Sequence, residues 1–443
     1  MKNLYILLSV SLLSVMVSCK KEKENLDREI VGLGGETIIE SALDKWLLDN
    51  FTTPYNISVK YRWDGTEYDV SKTLTPPKLE KVQPLMEVVR SSWIDPYTAQ
   101  AGQDFIKKYA PKNYVLVGSY QYNAGGTVTL GEAEGGIKVT LFNVNNFVKT
   151  DRAVSKRVLK TIHHEFTHIL NQTITYQKEF PRVTPAGYTG DWNNSPSFAP
   201  AGFISQYAQA SPGEDFAEMV SIMLTEGRSG YEAILKANTT ASAVTSIRAK
   251  EDMVVAYFKQ TWGIDFYTLQ TRVQKELGQY APANLTTYLG FGKTFTTLNI
   301  NPAVANEMSA DFQTAYNNSK AALLGINSTA KYELDNITLA FTSATEMQLK
   351  LNFHATAGTA AGTNYVALFT HSYTTTGNQV RFTYVSRDAN ANVIAASVAP
   401  LTGYFTASPF LINYFYPTDM KAEFGGLVRT TDANSFTYGA LTN

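Results

Sequence analysis

The sequence predicts an α+β chain with two ordered parts, a mixed α/β domain followed by an all-β C-terminal domain. Three observations carry this. Helical and strand-like hydrophobic periods are mixed up to about residue 150, the chain then turns mostly helical, and from about Lys331 it changes to two-residue alternation. At 443 residues it is long enough for two or three domains of ordinary size. Lys plus Arg (38) nearly balance Asp plus Glu (39), so no basic footprint for nucleic acid or anionic lipid is present.

The N-terminus, "MKNLYILLSVSLLSVMVSCKKEKEN", has a lysine, an apolar stretch from Leu4 to Val17, and small residues before a cysteine. Such a stretch is too short for a hydrocarbon core of about 30 Å, which makes it a cleaved export signal rather than a membrane span. "MVSC" resembles a bacterial lipobox, and Cys19, the only cysteine in the chain, is the residue that would be lipidated. An ordinary secretory signal with an incidental cysteine is the competing reading. We therefore expect a lipoprotein signal peptide over 1–18 and a lipidated tether over 19–36.

Ordered structure is expected from about Thr37. "ESALDKWLLDNF" spaces Leu43, Trp46, Leu47 and Phe51 as one helix face, and "YNISVKYRW" alternates as a strand. Helices follow from Leu79 to Trp93 and around "QAGQDFIKKYA", then strands in "NYVLVGSY" and "GGIKVTLFNVNNF". Beyond the helix that carries "TIHHEFTHIL", the stretch Tyr176 to Pro200 is rich in proline, glycine and aromatics, and loops of this length are commonly functional. Two more helices are expected, near Glu214 to Thr225 and, with a break at Gly263, from Asp252 to Leu277. "MQLKLNFH", Met347 to His354, and "VRFTYV", Val380 to Val385, are half-buried strands, joined by "NITLAF" and "YVALF" in a sandwich or barrel-like domain. The boundaries expected are 37–315 for the first domain, 316–330 for a linker and 331–443 for the β-domain.

His164, Glu165 and His168 form H-E-x-x-H. At 100° per residue the two histidines lie within about 40° of each other on adjacent turns, close enough to share one metal ion. Glu165 is offset by about 100°, where it reaches a metal-bound water rather than the metal. Val158, Ile162, Phe166 and Ile169 form the apolar stripe of this helix, and the histidine pair faces away from it. His163 points elsewhere again, and His354 and His371 are expected at the surface.

A catalytic zinc needs a third protein ligand and one open position. "HEFTHILNQTI" lacks the glycine and third histidine of the H-E-x-x-H-x-x-G-x-x-H pattern, so a carboxylate is expected, the mark of a glutamate-type zincin. "SPGEDFAEM" supplies three: Glu214 and Glu218, one turn apart on one helix face, and Asp215. One can bind zinc while another holds a ligating histidine by its second ring nitrogen. A competing role exists for Glu214, because Ser211, Pro212 and Glu214 also read as a capping box, and Glu218 would then be the ligand. Tyr207, seven residues before Glu214, carries a phenol of the kind that stabilises an oxyanion.

The segments "LDKWLLDNFTTPYNISVKYRW", "HHEFTHIL" and "GFISQYAQASPGEDFAEM" together resemble the zinc-binding metallopeptidase lipoproteins of Bacteroides-type bacteria, also described as substrate import-associated zinc metallohydrolases. The resemblance covers roughly Ala42 to Gln270. It implies an outer-membrane or surface lipoprotein accompanying a TonB-dependent transporter and its substrate-binding lipoprotein. The tyrosine seven residues before E-x-F-A-E also looks like the catalytic domain of anthrax lethal factor, a likeness that makes Glu214 the ligand and Tyr207 the oxyanion donor.

The expectation is thus a zincin-like metallopeptidase with Zn²⁺ on His164, His168 and Glu214, Glu165 as general base, Tyr207 as oxyanion donor and Glu218 behind a ligand or in its place. Its substrate would be a peptide or glycopeptide, its membrane attachment a lipid anchor only, and nucleic acid no partner. The rival is a non-catalytic surface binding lipoprotein that uses the aromatics Tyr404, Phe405, Tyr414, Phe415 and Tyr416; an intact Glu165 argues against it.

Overall fold

A computed structural model describes residues 40–443 except 70, 124–126, 135, 136, 196 and 327–330. Cys19, the signal peptide and the tether lie outside these residues. The chain divides into Met1–Trp46 and one compact unit, Leu47–Asn443. Of the first, the described part opens helix α1 (Ala42–Leu47). Ser41 caps it reciprocally: its Oγ accepts from the Asp44 N–H at 3.2 Å, and its own N–H donates to Asp44 Oδ2 at 2.8 Å. Among the described residues no helix is long and apolar enough to cross a membrane.

A small mixed sheet has the order β1 (Ser58–Lys60), β2 (Asn113–Leu116), β6 (Lys138–Leu141), β5 (Gly131–Glu134). β1, β2 and β6 run parallel, and β5 is an antiparallel edge. A two-stranded ribbon, β3 (Gln121–Tyr122) with β4 (Val128–Thr129), lies between β2 and β5 in sequence. The helix expected at Leu79 to Trp93 is present as α2 (Leu79–Val89), and it continues through a π turn, Arg90–Ile94, into α3 (Asp95–Ala101). Then comes α4 (Gln103–Tyr109).

β6 leads into the histidine helix α5 (Arg152–Thr173), in which Asp151 Oδ1 accepts from the N–H groups of its second and third residues, Ala153 and Val154, at 2.9 and 3.1 Å. Of the stripe of α5, Ile162, Phe166 and Ile169 are buried and Val158 is half-buried. Phe166 sits edge-on to Trp93, Tyr97 and Phe105, with ring centroids 5.3, 5.1 and 6.1 Å away. Below α5 the chain is helical: α6 (Pro212–Ala237), α7 (Ala241–Trp262) and α8 (Phe266–Tyr280), the last two separated at Gly263, whose φ of 69° ends α7 in the left-handed region.

The C-terminal strands close into an eight-stranded barrel. β8 (Lys331–Phe341), β9 (Glu346–Ala357), β10 (Asn364–Thr376), β11 (Gln379–Arg387), β12 (Phe410–Phe415), β13 (Phe424–Arg429) and β14 (Asp432–Thr442) follow one another antiparallel. The eighth strand, β7 (Thr297–Ile300), comes from ahead of Lys331 and joins β14 to β8. Alternation along β9 buries Met347, Leu349, Leu351 and Phe353. Helix α9 (Ala310–Leu324) occupies part of the stretch read as a linker, and it drives Phe312, Tyr316 and Leu323 into the barrel core. α10 (Ala389–Ile394) and α11 (Ala399–Thr406), two helices not expected from the strand-like pattern of this part, do the same with Ile394, Leu401, Tyr404 and Phe405. Those last two aromatics are core residues. His371 corrects an expectation: it is fully buried, because it follows Ala367 and Phe369 in inward phase on β10. His354 is at the surface, paired with Asp335 at 2.7 Å.

Helix α6 is broken at Gly227, where φ is 66° and ψ −179°, a region open to glycine alone. The break frees carbonyls before it and N–H groups after it, and each needs a partner. The Gln270 amide donates to the Met223 carbonyl at 2.6 Å, and the Gln274 amide to those of Leu224 and Thr225 at 2.7 and 3.0 Å. On the other side the backbone of Arg228 and Ser229 faces Glu423, a buried carboxylate on the β12–β13 connection, and opposes the upward push of burial on its pKa. A Cβ at residue 227 would stand 2.8 Å from Gln274 Cγ. Gly227→Ala is therefore expected to destabilise the protein by about 1–3 kcal/mol or more through strain and loss of the Gln274 caps, read by urea unfolding. An unchanged midpoint would show that the break is not held as described.

Candidate metal centre

Two helices bring the centre together. On α5, His164 and His168 point across to the first turn of α6, where Glu214 is the third helical residue after the Ser211 cap. The capping box is only half formed. Ser211 Oγ accepts from the Glu214 N–H at 3.3 Å, while the Glu214 carboxylate turns outward to the histidines instead of back to the Ser211 N–H. Glu214 Oε2 lies 2.9 Å from His164 Nε2 and 3.3 Å from His168 Nε2, and the two nitrogens are 3.1 Å apart. Zinc bonds of about 2.0–2.1 Å at tetrahedral angles put neighbouring ligand atoms about 3.3 Å apart. Spacing and donor set, two imidazoles and one carboxylate, therefore fit a zinc ion with a fourth position left for solvent.

Glu218, one turn on, lies behind His164. Its Oε1 is 3.0 Å from His164 Nδ1, and Lys160 Nζ stands 2.8 Å from Oε1 and 2.9 Å from Oε2. Ser205 Oγ donates to Oε2 at 2.5 Å. Glu218 thus faces the ring nitrogen opposite the one Glu214 faces, the usual place for a group that fixes a ligand's tautomer. Asp215 points away from both. Its Oδ2 is 2.7 Å from Lys250 Nζ, both side chains being wholly buried, and accepts from the Tyr188 hydroxyl at 2.9 Å. Lys250 also donates to the Gly202 carbonyl at 2.9 Å, so this pair anchors the segment leading to Tyr207.

Tyr207 begins a 3-10 turn, Tyr207–Gln209, and its ring stacks beside that of His164 with centroids 5.8 Å apart. Burial, with the Glu214 carboxylate nearby, pushes the pKa of its phenol up, and Trp192 meets the ring edge-on at 4.9 Å. The turn bearing Trp192 is fixed by the Gln206 amide, 2.9 Å from the Asn193 carbonyl and 3.1 Å from that of Trp192. Glu165 is half-buried beside the pair. Burial pushes its carboxyl up, opposed by His164 and His168 and reinforced by Glu214. His163 is outside the group: it is fully buried next to Tyr97, and desolvation pushes its pKa down to about 3.

These positions can be set beside known proteins. The profile of a family described as "Putative zinc-binding metallo-peptidase" matches residues 36–267, more than half of the chain. The chain belongs to this family. A solved structure titled as a "putative zinc-binding metallo-peptidase" from Bacteroides caccae is 31% identical, over 55% of this chain and 95% of its own, with a TM-score of 0.48. No curated protein matches the sequence. Membership of this zinc-binding metallo-peptidase family agrees with the resemblance found in the sequence, and the His164, His168 and Glu214 group is compatible with the metal its description names.

Sequence reasoning did not reach Lys160, Tyr188, Trp192, Ser205 or Lys250. Lys160 could have been found, because it precedes His164 by four residues and shares its helix face. The others act across loops, where spacing along the chain carries no signal.

In the metal-free protein, burial disfavours a charged His164, but hydrogen bonds to Glu214 and Glu218 outweigh it and raise its pKa from 6.5 to about 9. A raised pKa on a base means that this contribution to stability is full below pH 6.5 and is lost as pH rises through about 9. The proton facing Glu214 occupies the nitrogen that zinc would take. Zinc added to chelator-treated protein at pH 7.5 is therefore expected to release about one proton, measured by titration calorimetry in buffers of different ionisation enthalpy. Heats independent of buffer would contradict this assignment.

Proposed function

We propose that this family member is a zinc-dependent peptidase of the glutamate type, with a zincin-like catalytic part. The observation that carries the reading is the convergence of His164, His168 and Glu214, with spacing suited to one zinc ion, between Glu165 on one helix and Tyr207 on the facing loop. Zinc bound there supplies a Lewis acid and lowers the pKa of a water toward about 7. The protein's own groups do the rest. Glu165 takes the proton from the attacking water and hands it to the leaving amine, and its upward-shifted pKa suits a carboxyl that must serve as base and then as acid. Tyr207 keeps its proton, because burial and Glu214 raise its pKa, so it can donate to the oxygen that becomes negative as the carbonyl turns tetrahedral. Glu218 holds His164 by Nδ1, leaving Nε2 for the metal.

Peptides or glycopeptides are the proposed substrates, a reading supported by the family's description and by the roles proposed here for Glu165 and Tyr207. The "MVSC" motif supports attachment through Cys19 to the outer membrane or cell surface. There the enzyme would serve nutrient import alongside a TonB-dependent transporter and its substrate-binding lipoprotein, as the sequence resemblance implies.

Two experiments test this. Glu165→Gln is expected to bind zinc as tightly as the natural protein while losing peptide cleavage by about 10²–10⁴-fold, and Tyr207→Phe to lower kcat by about 10²–10³-fold with little change in KM. Equal activity in Glu165→Gln would end the mechanism. Separately, labelled palmitate is expected to be incorporated into the natural protein and not into Cys19→Ala, and label in both or in neither would refute the lipid anchor.

A further inference from the structure

The turn that presents Tyr207 has little stiffness of its own. It is three residues long, and its N-cap residue, Gln206, makes no side-chain capping bond. Ser205 supplies the missing bond: its Oγ accepts from the Ala208 N–H at 3.2 Å while donating to Glu218 Oε2 at 2.5 Å. A hydroxyl has one proton and two lone pairs, so both bonds form together and polarise each other. Glu218 in turn holds His164 Nδ1 at 3.0 Å and is neutralised by Lys160 at 2.8 Å. Only two side chains separate the metal-facing ring from the turn bearing the phenol. Farther upstream, the Gly202 carbonyl is fixed by Lys250, whose partner Asp215 lies on the same first turn of α6 as Glu214. The segment from Gly202 to Tyr207 is thus fastened twice to the helix that supplies the third ligand.

We infer that Ser205 is a positioning residue through which one carboxylate, Glu218, sets both the zinc-binding ring of His164 and the oxyanion donor Tyr207. This rests on the reaction proposed above. Ser205 is not one of the candidate metal-holding side chains, His164, His168 and Glu214. Its effect on the reaction passes through the Ala208 N–H to the backbone that aims the phenol. Were it merely a satisfied polar side chain, its loss would lower stability without a selective effect on turnover.

The experiment uses the full zinc-loaded chain with Ser205→Ala, Ser205→Thr, Tyr207→Phe and the Ser205→Ala/Tyr207→Phe double variant. Ser205→Ala is expected to lower kcat by about 10-fold or more while KM and zinc affinity stay within about twofold, and Ser205→Thr, which keeps the hydroxyl, to restore most of the rate. In the Tyr207→Phe background the same substitution is expected to cost less than about twofold. A readout independent of activity is amide exchange at Ala208, expected to accelerate in Ser205→Ala and not in Tyr207→Phe. Equal losses of kcat in both backgrounds, a loss that tracks zinc affinity, or unchanged exchange at Ala208 would each overturn the coupling while leaving the hydrolase reading in place. Full activity in Tyr207→Phe would instead overturn the assigned oxyanion donor, and this coupling with it.

Discussion

Two imidazole nitrogens and a carboxylate oxygen held within 3.3 Å of one another make an arrangement that protein atoms alone do not favour. Desolvating these groups costs free energy unless a cation, either a proton or a metal ion, sits among them. The fold supplies the force that keeps them together. On α5 the stripe opposite the histidines is locked into the aromatic cluster of Trp93, Tyr97 and Phe105, so the helix has no freedom to rotate its polar face away. On α6 the first turn is fixed by the Ser211 cap and by Asp215, which is buried against Lys250. With both helices fixed, the site is preorganised and its charge is left to the ion.

The same helices are tied to the rest of the molecule where α6 breaks. The Met223, Leu224 and Thr225 carbonyls freed before Gly227 find partners on a distant element, Gln270 and Gln274 of α8, and Glu423 of the barrel faces the backbone after the break. Gln274 also accepts from Arg152, the first residue of the histidine helix, at 2.6 Å. The break therefore joins both ligand-bearing helices to α8 and to the barrel, which explains why Leu47–Asn443 is one compact unit despite its two kinds of architecture. Glu423 is costly to bury, and burial raises its pKa to about 7 although Arg152 and Arg228 oppose the shift. A carboxylate retained at that cost is consistent with a clamp between the barrel and the helices.

What could be read from the sequence was what local geometry fixes. H-E-x-x-H places its residues by helical period alone, and the strands of the β-domain announce themselves by alternation over many residues. His371 was misread as a surface residue because it stands near a strand end, although it shares the buried phase of Ala367 and Phe369. β7 was not legible as a barrel strand: it has four residues and is separated from the next strand by helix α9. Nor could the sequence separate the two possible roles of Glu214, since a capping box and a metal ligand need the same residue at the same helical position. In the structure the Glu214 carboxylate faces the two imidazoles of α5. Ser205 escaped notice because its partner Glu218 is met only after the loop has folded back on α6, and Lys250 because its partner Asp215 is met only when α7 packs against α6.

Three carboxylates in five consecutive positions, Glu214, Asp215 and Glu218, show how environment divides chemically similar groups. Asp215 is fully buried against a lysine, and burial pushes its carboxyl up. Glu218 is almost as buried, with 2% of its side chain exposed, but Lys160 and His164 hold its carboxyl below the usual range despite desolvation. Glu214 is likewise held low by His164 and His168, and it alone keeps solvent contact, with 23% of its side chain exposed. A ligand to a catalytic ion must meet water at the open position, whereas a group that orients a ligand is best kept from water, which would compete for its hydrogen bonds. The exposures of the three carboxylates follow that division. Glu214, at the edge of the solvent, is suited to share an ion with a reacting water, and the two behind it are suited to keep the ring and the loop in register.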